Sequence, residues 1–334
     1  MFKVDKKVTI DRDPHQYLSF PDIIKSPVTE GKMFLVYRAG DSHHPVWSKL
    51  VLWASNDNGG TWDPIGDIDS SAHVDGFVWN CPRLAYIDQD LYITCDLKSG
   101  TRERVATFKT THVVSKNEGK SFKQYPTTMP GMVPDTIIKF KNRLFCANHK
   151  IKSPRNDLIQ LVSWSRDNGK TWWDTNIVAH DERHQYCEAS IANMGEYLIA
   201  YLRDNSGHKR HVYTVTSEDG IHWTKPQQLP IFGQRVTALK DEDRDGYVVG
   251  AYRNTNVPTG FSFNNKLEVT AFEHNIGNGK MKLSKIDWEH PENQYHFGYT
   301  GMVRTAPNKY IIAYYVKQKS INPYIKLAHV TKVK

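Results

Sequence analysis

Ser55-Asn56-Asp57-Asn58-Gly59-Gly60-Thr61-Trp62 is the stretch on which the reading of the fold turns. The same pattern returns as Ser165-Arg166-Asp167-Asn168-Gly169-Lys170-Thr171-Trp172. A drifted copy reads Ser115-Lys116-Asn117-Glu118-Gly119-Lys120-Ser121-Phe122, and a shortened one reads Ser217-Glu218-Asp219-Gly220-Ile221-His222-Trp223. Asp or Asn caps backbone N–H groups in a tight turn, Gly takes a φ that other residues avoid, and Ser or Thr adds local hydrogen bonds. The closing Trp or Phe is an apolar anchor suited to packing between neighbouring sheets. The copies start at 55, 115, 165 and 217, so they are 60, 50 and 52 residues apart. A period near fifty, with a strand-turn-strand in each unit, points to a β-propeller.

The pattern S-x-D-x-G-x-T-W resembles the Asp-box of the sialidase (neuraminidase) superfamily. The resemblance implies an all-β fold: a six-bladed β-propeller of four-stranded antiparallel blades. It speaks for fold rather than activity. Asp-boxes lie on the blade periphery away from the active site, and binding propellers and unrelated glycan enzymes carry them too.

Working outward, inner strands are expected to begin near Ser19-Phe20-Pro21-Asp22, Asn80-Cys81-Pro82-Arg83, Met132-Val133-Pro134-Asp135, Tyr186-Cys187-Glu188, Gly233-Gln234-Arg235 and Gly298-Tyr299-Thr300. Second strands follow at 33–38, 91–97, 143–149, 197–203, 247–253 and 309–316, rich in Val, Ile, Tyr and Leu. The turn motif is eroded in the fifth unit (273–280), and the sixth lacks a fourth strand, which Lys6–Asp11 is expected to supply. No linker interrupts the series, so the expectation is one domain over 1–334.

The net charge of +8 is spread out, without a long Lys/Arg run, which favours acidic partners in general. Nothing resembles a nucleic-acid motif, and no stretch approaches a membrane span. The N-terminus lacks a secretory apolar region, so the expected location is cytoplasmic, or outside the cell by release without a signal peptide, phage-borne release included. Cys81, Cys95, Cys146 and Cys187 all fall in expected strands and read as buried thiols, although Cys81 and Cys95 could face each other across a hairpin. Asp241-Glu242-Asp243-Arg244-Asp245-Gly246 begins like a calcium loop, but Tyr252 stands where the bidentate Glu belongs, and an acidic hairpin turn is the better reading. No His/Cys spacing suggests zinc, and no cofactor is expected.

In a propeller the ligand site lies at the channel mouth, where inner strands start and second strands end. The polar residues at those places are Asp22, Arg38, Asp41, His43, His44, Arg83, Asp96, Asp135, His149, Glu188, Arg203, Arg235, Arg253, Lys266 and Tyr299. So many converging ionisable groups exceed what a packing face needs. Cys187-Glu188 with Arg203 fifteen residues on is similar to the sialidase blade that carries a Glu and one carboxylate-binding Arg. Gly298-Tyr299-Thr300 is similar to the last sialidase blade, whose Tyr is the nucleophile and whose proton the Glu accepts. A neutral Tyr avoids the repulsion that a carboxylate nucleophile would meet from a substrate acid group.

The family's first-blade Arg is absent here, the chain reading Leu18-Ser19-Phe20-Pro21, and Lys266 stands near its third Arg. Lys attracts a carboxylate without replacing the Arg fork. Asp41 or one of His43 and His44 falls at the acid/base place. Arg38, Arg83, Arg235 and Arg253 with Arg203 suggest a cationic basin, with Asp22, Asp135 and His149 as further pocket residues.

These residues set three expectations. The first is an exo-acting hydrolase that removes a terminal acidic sugar from an oligosaccharide or polysaccharide. The second is a lyase that cleaves a uronate-containing glycan by β-elimination, and the third a non-catalytic glycan-binding propeller. The sugar, the linkage and the oligomeric state are not encoded in these motifs.

Overall fold

The chain alternates short apolar-rich strands with Gly- and Asp-containing turns, and the computed structural model is correspondingly all strand and turn. It describes residues 1–68, 76–99, 107–152, 157–206, 211–255, 267–289, 297–317 and 321–333. Strand β1 (Phe2–Asp11) stands apart from the unit that follows it, β2 (Tyr17–Lys25), β3 (Met33–Gly40), β4 (Ser48–Ser55) and β5 (Asp63–Ile68). The second unit is β6 (Phe77–Trp79), β7 (Arg83–Ile87), β8 (Asp90–Ser99), β9 (Thr107–Ser115) and β10 (Lys123–Pro126). The third is β11 (Ile138–Phe140), β12 (Arg143–Lys152), β13 (Asp157–Ser165) and β14 (Trp173–Ala179). Then come β15 (Tyr186–Asn193), β16 (Leu198–Asp204), β17 (His211–Ser217), β18 (Gln227–Lys240), β19 (Tyr247–Asn254), β20 (Leu267–Asn275) and β21 (Met281–Glu289). The last unit holds β22 (Thr300–Ala306), β23 (Lys309–Val316) and β24 (Tyr324–Lys332).

Each unit is an antiparallel meander, but six separate sheets do not result. Among the described residues the hydrogen-bonded sheets number five, because β15 to β21 form one seven-stranded sheet. The physical reason is β18, whose first residues pair with β17 and whose residues from Gly233 to Lys240 pair with β19. One long strand is thus the outer edge of one four-stranded unit and the inner edge of the next. The second unit has an inner strand split at Asn80–Pro82, with β6 and β7 both pairing with β8. Strand β1 pairs antiparallel with β24, joining the two ends of the chain in one sheet.

Six clusters of buried apolar side chains lie between successive units. One packs Phe34, Val36, Leu50 and Leu52 of the first unit against Leu84, Leu91 and Ile93 of the second. Another closes the ring, with Leu35 and Tyr37 of the first unit meeting Ile311, Ala313 and Leu327 of the last. The other four join second to third, third to fourth, fourth to fifth and fifth to last. Every pair of neighbouring units therefore shares an apolar core.

The repeated turns follow their expected chemistry. Ser55 Oγ accepts the Gly59 N–H at 2.8 Å, and Asp57 Oδ1 accepts the Thr61 N–H at 2.9 Å. The Ser165–Asp167–Thr171 turn repeats both contacts at 2.9 Å. All four cysteines are free and buried. The carboxylates of the calcium-like loop are occupied by cations of the chain: Asp241 by Lys332 and Arg244, Asp243 by Arg304. No helix among the described residues is long and apolar enough to cross a membrane.

Candidate active site

At the start of the inner strand the chain repeatedly adopts a left-handed backbone. Phe20 (φ 56°), Val133 (φ 49°), Glu188 (φ 48°), Arg235 (φ 48°) and Gly298 (φ 81°) occupy this place in the first, third, fourth, fifth and last units. The strand registers skip there, between Ser19 and Asp22, Cys187 and Ser190, and Gln234 and Thr237. Such a bulge re-aims a side chain out of the ladder. For a non-glycine residue it costs of order 1–3 kcal/mol, which the surrounding packing must sustain.

Two residues after each bulge, a small polar side chain ties one unit to the next. Asp22 accepts the Leu84 N–H at 2.7 Å, Asp135 the Ile191 N–H at 3.1 Å, and Ser190 the Ala238 N–H at 3.2 Å. Thr237 donates to the Thr300 carbonyl at 2.6 Å. Asp22 and Asp135, expected among the pocket residues, are placed at these ties between units. Both are buried, both are paired with a buried arginine (Arg83–Asp22 3.0 Å, Arg235–Asp135 3.5 Å), and both line a 380 Å³ cavity to which Glu188 and Tyr299 do not contribute. Arg83 and Arg235 accordingly brace the centre.

Above them, three residues far apart in sequence meet around one phenol. The Tyr299 hydroxyl donates to Glu188 Oε1 at 2.9 Å, and Arg203 Nη1 reaches both that oxygen and the phenol oxygen at 2.8 Å. Glu188 is on β15, Arg203 opposite Cys187 on β16, and Tyr299 directly before β22. Glu188 and Tyr299 are only 9% and 8% exposed, while Arg203 is half-buried and also donates to the exposed Asn205 at 2.6 Å. Burial opposes ionisation of Glu188, yet the charge and hydrogen bond of Arg203, with the charge of Arg235 behind, hold its carboxyl at about 2. Burial pushes the Tyr299 phenol well above its ordinary value, against the pull of Arg203.

His149 Nδ1 accepts the backbone N–H of Glu188 at 3.4 Å, and burial lowers this imidazole to about 4, so it serves as a neutral acceptor under the bulge. Arg253 lies with its guanidinium carbon 4.2 Å from the centre of the Tyr299 ring. Arg38 donates to the carbonyls of Ser42 and His43 at 3.2 and 3.1 Å and to Asn80 Oδ1 at 3.3 Å, so it shapes the following loop. In that loop Asp41 Oδ1 accepts the Val46 N–H at 2.9 Å, a capping role. His43 instead packs on Phe20 (5.8 Å between ring centres) and bonds the Tyr17 hydroxyl through Nδ1 at 3.2 Å. His44 turns to Lys98, Nδ1 to Nζ 3.3 Å. Lys266 lies outside the described residues.

Sequence reasoning did not single out Phe20, Tyr315 or Gln234. Phe20 sits 5.4 Å from the Tyr299 ring and 5.7 Å from that of Tyr315, and the Arg38 guanidinium is 4.7 Å above it. Its signal was in view: Phe20-Pro21-Asp22 has the same spacing as Val133-Pro134-Asp135, and the bulged residue faces the centre whatever its polarity.

A family model described as a BNR repeat-like domain matches residues 90–249. The fold is similar to that of a protein of unknown function from Dyadobacter fermentans, at 20% identity over 99% of both chains with a TM-score of 0.82. It is similar also to the NanB sialidase from Streptococcus pneumoniae, at 11% identity over 99% of this chain and 70% of that one, TM-score 0.67. An alpha-L-arabinanase from Penicillium chrysogenum, complexed with arabinobiose, matches at 13% identity over 98% of both chains, TM-score 0.70. Identities this low establish a common fold. No curated protein matches the chain in sequence.

Proposed function

We propose that this chain, whose fold is similar to that of sialidases and which matches a BNR repeat-like domain over residues 90–249, is an exo-acting glycoside hydrolase that removes a terminal acidic sugar from a glycan. The observation that carries this reading is the Tyr299 hydroxyl held between Glu188 and Arg203 at 2.9 and 2.8 Å. A base and a nucleophile in direct hydrogen bond, with the base oriented by a third group, is the arrangement nucleophilic catalysis needs. In the first step the Tyr299 oxygen bonds to the anomeric carbon and its proton passes to Glu188 Oε1. The bond to the leaving-group oxygen breaks, and that oxygen takes a proton from His43, which packs on Phe20 beside Tyr299. Water then bonds to the anomeric carbon, giving a proton to His43, and Tyr299 leaves with the proton from Glu188.

Charge supports an acidic substrate. Arg38, Arg83, Arg203, Arg235 and Arg253 face Asp22, Asp96, Asp135 and Glu188, and burial pushes the carboxyls of Asp96 and Asp135 upward, toward the neutral form. The centre is thus net positive, and a site walled off from water focuses that field. Arg203 is the most exposed of the five arginines, so in this reading it is the group that receives the substrate's acid. With Arg203 bound to both Glu188 and Tyr299, the carboxylate is a poor proton acceptor. A substrate anion that competes for the guanidinium raises the basicity of Glu188 at the moment it is needed.

The test is a screen of the purified protein against acidic glycans and a 4-methylumbelliferyl sialoside, following released reducing sugar and absorbance in the unsaturated-uronate band. The expected result is sugar release that Tyr299→Phe and Glu188→Gln each reduce at least about a thousandfold. An ultraviolet-absorbing product would replace hydrolysis by β-elimination. Binding without turnover on any substrate would make the protein a glycan-binding propeller.

A further inference from the structure

We propose that Arg253 is a positioning residue for Tyr299 and not a ligand for the substrate's acid group. Both terminal nitrogens of its guanidinium donate to the chain. Nη1 donates to the Phe297 carbonyl at 3.0 Å, and Nη2 donates to Gln234 Oε1. Nε is buried without a hydrogen-bond partner, and the residue as a whole is 3% exposed, closed to a substrate's acid group. Phe297 is two residues before Tyr299, with Gly298 in a left-handed conformation (φ 81°) between them. Arg253 therefore holds the backbone that enters the nucleophile's turn while its cation lies 4.2 Å from the centre of the nucleophile's ring. Gln234, directly across the strand pair from Arg253, fixes the far end of the fork.

The electrostatic consequence follows from where charge develops. When the phenolic proton moves to Glu188 Oε1, the negative charge on Tyr299 spreads from oxygen into the ring. A cation fixed beneath the ring face is attracted to the neutral phenol and more strongly to the phenolate. Because Arg253 is already in place, no reorganisation is needed as the proton leaves. The phenol is thus gripped at two points: Arg203 and Glu188 at the oxygen, Arg253 at the ring. The kinetic part of this proposal rests on Tyr299 being the nucleophile; the effect on phenol acidity does not.

The experiment places 2,3,5-trifluorotyrosine at position 299, which brings the phenol into an accessible range, and follows its ionisation by fluorine NMR without substrate. In Arg253→Met the phenol is expected to titrate about one unit higher, a tenfold change in ionisation. Arg253→Lys recovers part of the shift, and Gln234→Met, which frees the fork but keeps the cation, shows a smaller shift in the same direction. Steady-state kinetics on the unlabelled variants then show kcat about tenfold lower with KM nearly unchanged. An unchanged fluorotyrosine titration, or a rise in KM with kcat preserved, overturns the proposal. If Arg253→Met does not fold, the Lys and Gln234 variants decide it by the same titration. Should Tyr299→Phe retain turnover, the nucleophile reading fails while the titration still reports whether Arg253 holds the phenol.

Discussion

Glu188 reaches Tyr299 only because its own backbone gives up an extended conformation, and the same is true of Arg235 one unit on, with φ values of 48° at both. Such strain persists where neighbours over-determine it. For Glu188 the neighbours are Arg203 at the carboxylate and His149 at the N–H. For Arg235 they are Asp135 and the Pro134 carbonyl. Arg235→Met leaves Asp135 buried without its cation, so urea denaturation is expected to show a loss of about 3–5 kcal/mol. Adding Asp135→Asn should restore a large part of it, since the amide carries no charge to strand. A double variant no more stable than the single one would show that the ion pair is not what supports the bulge. Glu188, Arg203 and Tyr299 were singled out in the sequence by their resemblance to two sialidase blades, and the structure brings the three side chains together. The partners of Arg38, Arg83, Arg235 and Arg253 were not legible there. A sequence shows that an arginine sits at a strand end, but what it faces is decided by residues up to 217 positions away, as with Arg83 and the Thr300 carbonyl.

At the scale of elements, the repeated turn explains its own glycine. A Cβ on Gly119 would stand 2.7 Å from a Phe34 ring carbon, and one on Gly220 would stand 2.4 Å from the ring of Phe145. On Gly59 it would stand 2.3 Å from Ile311 Cδ1. Each of these contacts belongs to the second strand of the preceding unit, so the turn is a joint between units as well as a cap. Gly119 (φ 82°) and Gly195 (φ 100°) share a left-handed backbone, but Gly195 has open space around it. Gly195→Ala is therefore expected to cost about 1 kcal/mol from backbone strain alone. Gly119→Ala should cost about 2–4 kcal/mol, because an aromatic ring in a packed core yields little. Equal losses in thermal or urea unfolding would remove the steric joint from the account. The turns and the second strands could be read from local pattern. The seven-stranded sheet could not, because nothing in Gln227–Lys240 announces that one strand serves two partners.

Across the whole molecule the candidate site is a property of ring closure. Glu188 and Arg203 come from the fourth unit, Arg253 from the fifth, Tyr299 from the last and Phe20 from the first. The apolar cluster of Leu35, Tyr37, Ile311 and Leu327 brings the first and last units together, and β1 adds a further strand to the last unit by pairing with β24. A phenol 111 residues from its carboxylate is held at 2.9 Å only if every unit between them keeps its place. The central claim is that Tyr299 becomes covalently attached to the sugar. The most direct measurement is mass spectrometry of the protein after brief reaction with a fluorine-deactivated acidic glycosyl fluoride. The account predicts one added sugar on the peptide that contains Tyr299, absent from Tyr299→Phe and slowed in Glu188→Gln. A label on any other residue, or turnover of the reagent by Tyr299→Phe at the wild-type rate, would contradict it.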